Sequence, residues 1–125
     1  MNTSLVKYLE SNVEQLAVEV TNRMQEEQPE LFARYRVRSL GRGRDPLEWC
    51  REDTAFHLRH LGAALESDDL NEFLEYRSWL IGLLSARGIP TSDIDTNFEA
   101  MAETLITRLG NEASPAVAML RAPMM

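Results

Sequence analysis

From Leu5 onward the apolar residues return at helical steps, as Leu5, Leu9, Val13, Leu16, Val20 and Met24. A spacing of three or four places them on one stripe of an α-helix and turns Lys7, Glu10, Glu14 and Glu19 to water. No alternating apolar run bounded by turn residues competes with that period anywhere in the chain, and no internal repeat is present. The constraint is strong: each segment must bury one long stripe, and other helices are the only elements available to cover it.

The breaks between stripes divide the chain into helices. Ser4 or Thr3 is expected to cap the first, and Pro29 to end it, because its ring disfavours a helical residue before it. A short helix is expected from Glu30 to about Arg36, followed by a loop at Ser39-Leu-Gly-Arg-Gly-Arg44. Asp45-Pro46-Leu47-Glu48 then carries three agreeing start signals: a capping acid, a proline at the first helical position, and a Glu that closes a box back to the cap. The stripe after it is Leu47, Cys50, Thr54, His57 or Leu58, Leu61 and Leu65, and Ser67-Asp68-Asp69 breaks and recaps the chain. The next helix carries Leu70, Phe73, Arg77, Leu80 and Leu84. With Leu74, Tyr76, Trp79, Ile81 and Leu83 beside them it is apolar over most of its circumference, which predicts the central element. Gly88 stands where a left-handed residue closes a helix, and Pro90 prevents continuation. Thr91 or Ser92 is expected to cap the last long helix, with Ile94, Phe98, Met101, Leu105 and Leu109 inward and Gly110 at its end. Residues 111–125 read as a tail or the start of a linker, with a short helical turn from Pro115. The expectation is an all-α domain over residues 1–110, four long helices plus a short one, as an antiparallel bundle or a globin-like packing.

With 125 residues there is room for one core. The net charge of −7 argues against a nucleic-acid binder, since affinity for phosphate needs clustered Lys and Arg. The charge is nevertheless uneven. Arg34, Arg36, Arg38, Arg42 and Arg44 fall within 34–44, leaving 8 basic residues against 20 acidic ones elsewhere. Of these, Arg36, Arg38, Arg42 and Arg44 form a candidate patch for an anionic partner, against the plainer reading of a solvated loop balancing neighbouring acids. One cysteine, Cys50, excludes an internal disulfide framework and a cysteine-based zinc site, and suits a reducing compartment. No signal peptide and no membrane-length apolar run are evident, so a cytoplasmic location and no membrane partner are expected.

Candidate chemistry concentrates on the third helix. Asp53, His57 and His60 fall at i, i+4 and i+7, close to one stripe, where imidazoles and a carboxylate can ligate a metal or haem iron. The alternative is a buried His57 bonded to a neighbour and a surface His60; no second ligand motif completes a set, and no metal or cofactor is expected. Trp49, Tyr76 and Trp79, with the two histidines, Asp53 and Arg77, form a candidate small-molecule pocket; helically spaced aromatics otherwise serve as core or interface. Arg77, inside the most apolar helix, is expected to pair with Asp53 or Glu75, or to meet an anionic ligand. Cys50 sits where a helix start lowers a thiol pKa, yet without a resolving cysteine or base it reads as a small apolar filler. No nucleophile elbow, phosphate loop, zinc-protease motif or paired-cysteine motif is present, and the Asp-x-His-x-x-Gly signature of cobalamin modules is also missing.

The run Cys50-Arg-Glu-Asp53, Phe56-His57-Leu58-x-x-Leu61-x-x-Ala64-Leu65 continues as Phe73-x-x-Tyr76-x-x-Trp79 and Leu83-x-x-x-Arg87-Gly88-Ile89. With Leu105 in the last helix, and Pro29-Glu-Leu-Phe-x-x-Tyr35 before it, this layout resembles the RsbRD N-terminal family of stressosome co-antagonist proteins. The resemblance implies a helical, globin-related sensory or regulatory domain without catalytic residues, usually fused to a STAS output domain and dimerising through helices. The expected function is therefore a non-catalytic cytoplasmic regulatory or sensor domain in bacterial signalling. It would act through helix-mediated association as a homodimer, with a STAS-type protein or a kinase as signalling partner. A small-molecule or haem-binding helical sensor is the alternative.

Overall fold

The stripes do assemble into helices packed side by side. The structure, a computed structural model, describes residues 2–39 and 45–123, with the backbone alone over 36–39. Six α-helices and one 3₁₀ turn make up the described residues, without a strand: α1 Thr3–Glu27, α2 Pro29–Ser39, α3 Pro46–Ser67, α4 Leu70–Ala86, α5 Thr91–Leu109, the turn Gly110–Ala113, and α6 Ser114–Leu120.

All six stripe residues of α1 are buried, and Asn2, not Ser4 or Thr3, precedes its first turn. Asn2 donates instead to the carbonyl of Leu65, 3.2 Å away at the far end of α3. Within α1 the backbone departs from helical values at Asn12, whose side chain donates to the carbonyl of Tyr8 at 2.9 Å. A short amide bonding back into the ladder is a recognised cause of such a kink. Asp45 caps α3 by accepting from Leu47 N–H at 2.9 Å, and Asp69 caps α4 by accepting from Glu72 N–H at 3.3 Å. Two helices end in the same motif. Ile89 N–H bonds to Leu84 C=O at 2.9 Å with Gly88 at φ 82°, and Asp69 N–H bonds to Ala64 C=O at 2.9 Å with Asp68 at φ 52°. No side chain caps α5; Pro90 precedes it and Thr91 is already its first residue.

Pairings along neighbouring helices run in opposite senses. On α3 and α1, Leu65 meets Asn2, Arg59 meets Glu14 and Cys50 meets Met24. On α5 and α1, Arg108 bonds to Glu19 while Arg23 bonds to Thr104. Along α4, Phe73 meets Phe98 and Arg77 meets Asp95 of α5. These are antiparallel pairs, so the chain is an antiparallel helical bundle. Its centre holds Phe32, Phe73, Phe98, Leu58, Leu61 and Met101, each almost completely buried.

Two expectations about organisation change. The apolar helix α4 covers one side of the bundle instead of occupying its centre: only Phe73, Tyr76, Arg77 and Leu80 are buried along it. The long stripes of α1, α3 and α5 enclose the core between them, so the surplus apolar surface of α4 is left facing outward. The segment expected to be a tail from residue 111 is packed as far as Leu120. Ala113, Ala116, Met119 and Leu120 are buried in the core, because small residues at helical spacing let a short helix approach closely.

Candidate functional site

Several helix ends meet around one cavity of about 790 Å³. Its wall is made by Met24 near the end of α1, Leu31, Phe32 and Tyr35 of α2, Trp49, Asp53 and His57 of α3, Leu84 and Arg87 at the end of α4, and Asp93, Ile94 and Asn97 of α5. The position follows from the chain breaks. Pro29, Pro46 and Pro90 each start or precede a helix, and the turns they enforce bring termini, not helix middles, to one end of the bundle.

Asp93 ties two of these termini together. Its carboxylate accepts from Arg34 at 3.0 Å and from the Tyr35 hydroxyl at 2.5 Å, which fastens α2 to the first turn of α5. Arg34, the first arginine of the basic run, is thus an internal partner. Arg36 and Arg38 lie on α2 with only their backbone described; of the loop expected over 39–44, Ser39 is the last residue of α2, and the rest, with Arg42 and Arg44, lies outside the described residues.

The deeper wall is a polar network in an apolar setting. His57 is 4% exposed, and its Nδ1 lies 2.6 Å from the Tyr76 hydroxyl. Burial, helped by the neighbouring His60, pushes its pKa down to about 3, so the ring is neutral at ordinary pH. Burial, helped by the charge of Asp53, pushes the Tyr76 phenol up, so it keeps its proton. That proton has no other acceptor among the described residues, so Tyr76 donates to Nδ1 and the His57 proton resides on Nε2. Beside this pair Asn97, 9% exposed, has its Nδ2 at 3.0 Å from Thr54 Oγ1 and 3.2 Å from Met24 Sδ. A thioether sulfur only accepts, so the amide nitrogen, and not its oxygen, faces Met24. Cys50 approaches the same sulfur at 3.8 Å, and burial raises its thiol pKa, overriding the lowering expected of a helix start.

The residues expected to form one pocket divide between two places. Trp49, Asp53 and His57 line the cavity, and Tyr76 supports it from behind through His57. His60 stacks on the outer side of Tyr76 at 3.9 Å and 11°, next to Phe56, and Trp79 stands 6.0 Å from Tyr76 with 55% of its surface exposed. Arg77 turns away from both. It pairs with Asp95 at 2.8 Å instead of Asp53 or Glu75, donates to the Ala122 carbonyl at 2.9 Å, and lies over the Phe98 ring at 5.1 Å. Its role is to hold the end of α6. The two histidines therefore face different surroundings, and no group of three or more metal-ligating side chains gathers among the described residues. Sequence reasoning places Thr54 on the inner stripe of the third helix and Tyr35 in the resemblance motif without giving either a role in a site, and it does not single out Asn97 or Asp93. Each reads there as an ordinary polar residue of a helix, and only their meeting across three helices distinguishes them.

No helix among the described residues is long and apolar enough to cross a membrane. Comparison with protein-family models, curated proteins and solved structures returns no match.

Proposed function

We propose that the chain is a non-catalytic regulatory or sensor domain, of the kind the RsbRD N-terminal resemblance implies, acting through helix-mediated association as a homodimer in a cytoplasmic signalling setting. The observation that carries this is the outer face of α3 and α4. Trp79 and Phe56 are 55% and 47% exposed there, both in ring contact with Tyr76. Aromatic side chains clustered on a solvent-facing surface are the usual anchors of protein interfaces. The chemistry of the interior supports a non-catalytic role. The His57 imidazole is too weak a base for general-base work near neutral pH, the Cys50 thiol is held protonated, and Asp93 is engaged by two donors. A STAS-type protein or a kinase is the signalling partner this reading favours.

Size-exclusion chromatography with light scattering tests the association. The expected result is a dimer that Trp79→Ser combined with Phe56→Ser converts to monomer, with helicity unchanged. A wild-type chain that stays monomeric at high concentration overturns the proposal. The cavity of about 790 Å³ favours a second reading, a sensor that takes up a small molecule at the helix ends.

A further inference from the structure

We propose that the cavity at the helix ends binds a flat, apolar ring carrying a neutral carboxamide or cyclic amide, with His57 donating to its carbonyl and Asn97 accepting from its N–H. This inference rests on the small-molecule reading of the cavity and is independent of self-association.

The argument begins with two polar groups that are nine-tenths or more buried, line the same cavity, and each keep one hydrogen-bonding atom unused. His57 spends Nδ1 on Tyr76, and since Tyr76 is the donor, Nε2 carries a proton with no partner among the described residues. Asn97 spends its amide nitrogen on Thr54 and Met24, which leaves its carbonyl oxygen without a donor among the described residues. Each side chain is anchored through its other polar atom, so the cavity wall presents one fixed donor and one fixed acceptor to whatever enters it. The two groups are neighbours: Thr54, which holds Asn97, lies one helical turn before His57, and the ring of Phe98, next to Asn97, is 5.3 Å from the imidazole.

A donor beside an acceptor is matched by an acceptor beside a donor, which is the edge of an amide. A carboxylate is the wrong complement. It has no proton for the Asn97 oxygen, and it would enter a wall that also carries Glu52, Asp53 and Asp93, with Arg87 as the only cation lining it among the described residues. A cationic ligand would suit those acids but not the N–H of His57. The remaining wall is apolar: Leu31, Leu84, Ile89 and Ile94, with the Trp49 indole, provide surface for a ring.

Three probes of similar shape separate the possibilities in the purified full chain: benzamide, benzoate and ethylbenzene. Binding is read from the Met24 methyl and His57 imidazole resonances, both at the site. Benzamide is expected to give saturable shifts at both, with the other two at least about tenfold weaker. Asn97→Leu is expected to remove that preference while leaving ethylbenzene binding in place. Equal binding of all three, or tighter binding of benzoate, overturns the amide assignment and leaves a cavity that merely admits small molecules. No binding by any of the three overturns the small-molecule reading as well. The ranking in the unmodified protein decides the question even where Asn97→Leu does not fold.

Discussion

Lowering the pH from 7 to 5 is expected to remove about 2 kcal/mol of stability through His57 alone. In the unfolded chain its imidazole titrates at the ordinary value of 6.5; in the folded chain burial holds it at about 3. Above 6.5 the ring is neutral in both states. Between the two values only the unfolded chain takes up the proton, so the unfolded state binds more protons and stability rises with pH across that window. The contribution is complete above 6.5 and is lost as the pH falls toward 3. Each pH unit well inside the window is worth about 1.36 kcal/mol, and the first half unit below 7 contributes little. Because pH 5 lies well above the folded value, the figure is insensitive to where near 3 that value falls. The residue is 4% exposed, so solvent screening removes little of the effect. For a chain of this length the loss lowers the thermal midpoint by roughly 6–10 °C. His57→Gln, which keeps an acceptor for the Tyr76 hydroxyl, isolates the term, since His60 and the carboxylates remain in both proteins. Urea unfolding followed by circular dichroism at pH 7, 6 and 5 should show the variant losing about 2 kcal/mol less than the wild type. Parallel pH slopes in the two proteins, or a His57 resonance titrating near neutrality in the folded chain, refute the reasoning.

Asp68 closes α3 at φ 52°, a conformation glycine adopts without strain. Asp68→Gly should therefore raise stability by about 0.5–1 kcal/mol in chemical denaturation, and a lower midpoint would show that the Asp side chain contributes more than its backbone strain costs. Truncation after Gly110 removes the buried Ala113, Ala116, Met119 and Leu120. Losing two large core side chains at roughly 2–5 kcal/mol each should leave a chain that unfolds or aggregates, and a cooperative unfolding transition unchanged from the full chain would contradict the packing of α6.

What was legible in the chain was the local and the periodic. The stripes of α1 and α3, the Asp45 and Asp69 caps and the left-handed Gly88 all follow from rules that act within a few residues, and all are present. The kink at Asn12 is also local, but it has no periodic trace: it depends on one amide competing with the ladder, which many helical asparagines do not do. The place of α4 at one side of the bundle departs from its composition for a different reason. Counting apolar residues measures how much surface an element could bury, whereas position in a bundle depends on which neighbours have stripes long enough to enclose it. The same count undervalued α6, whose buried face is mostly alanine and so carries little hydrophobic weight while allowing the closest approach.

The candidate site shows why polar partners are the hardest part to read from a chain. Sequence offers Arg77 the carboxylates of Asp53 and Glu75, yet its partner is Asp95, because α4 and α5 run antiparallel from a short turn and bring positions 77 and 95 level. The same register places Phe73 against Phe98 and turns Asn97 toward Thr54 and Met24. Once the antiparallel pairing is given, each of these contacts is nearly forced; without it, any of several acids or amides would serve. His57 is the instructive case. Its sequence position on an inner stripe was enough to expect burial, but only the arrival of Tyr76 from α4 decides which ring nitrogen holds the proton, and hence what the cavity offers to a ligand. Recognition at this site therefore depends on a hydroxyl outside the cavity. Tyr76→Phe would leave every lining residue in place while freeing His57 to exchange tautomers, so the donor facing the cavity would become, part of the time, an acceptor.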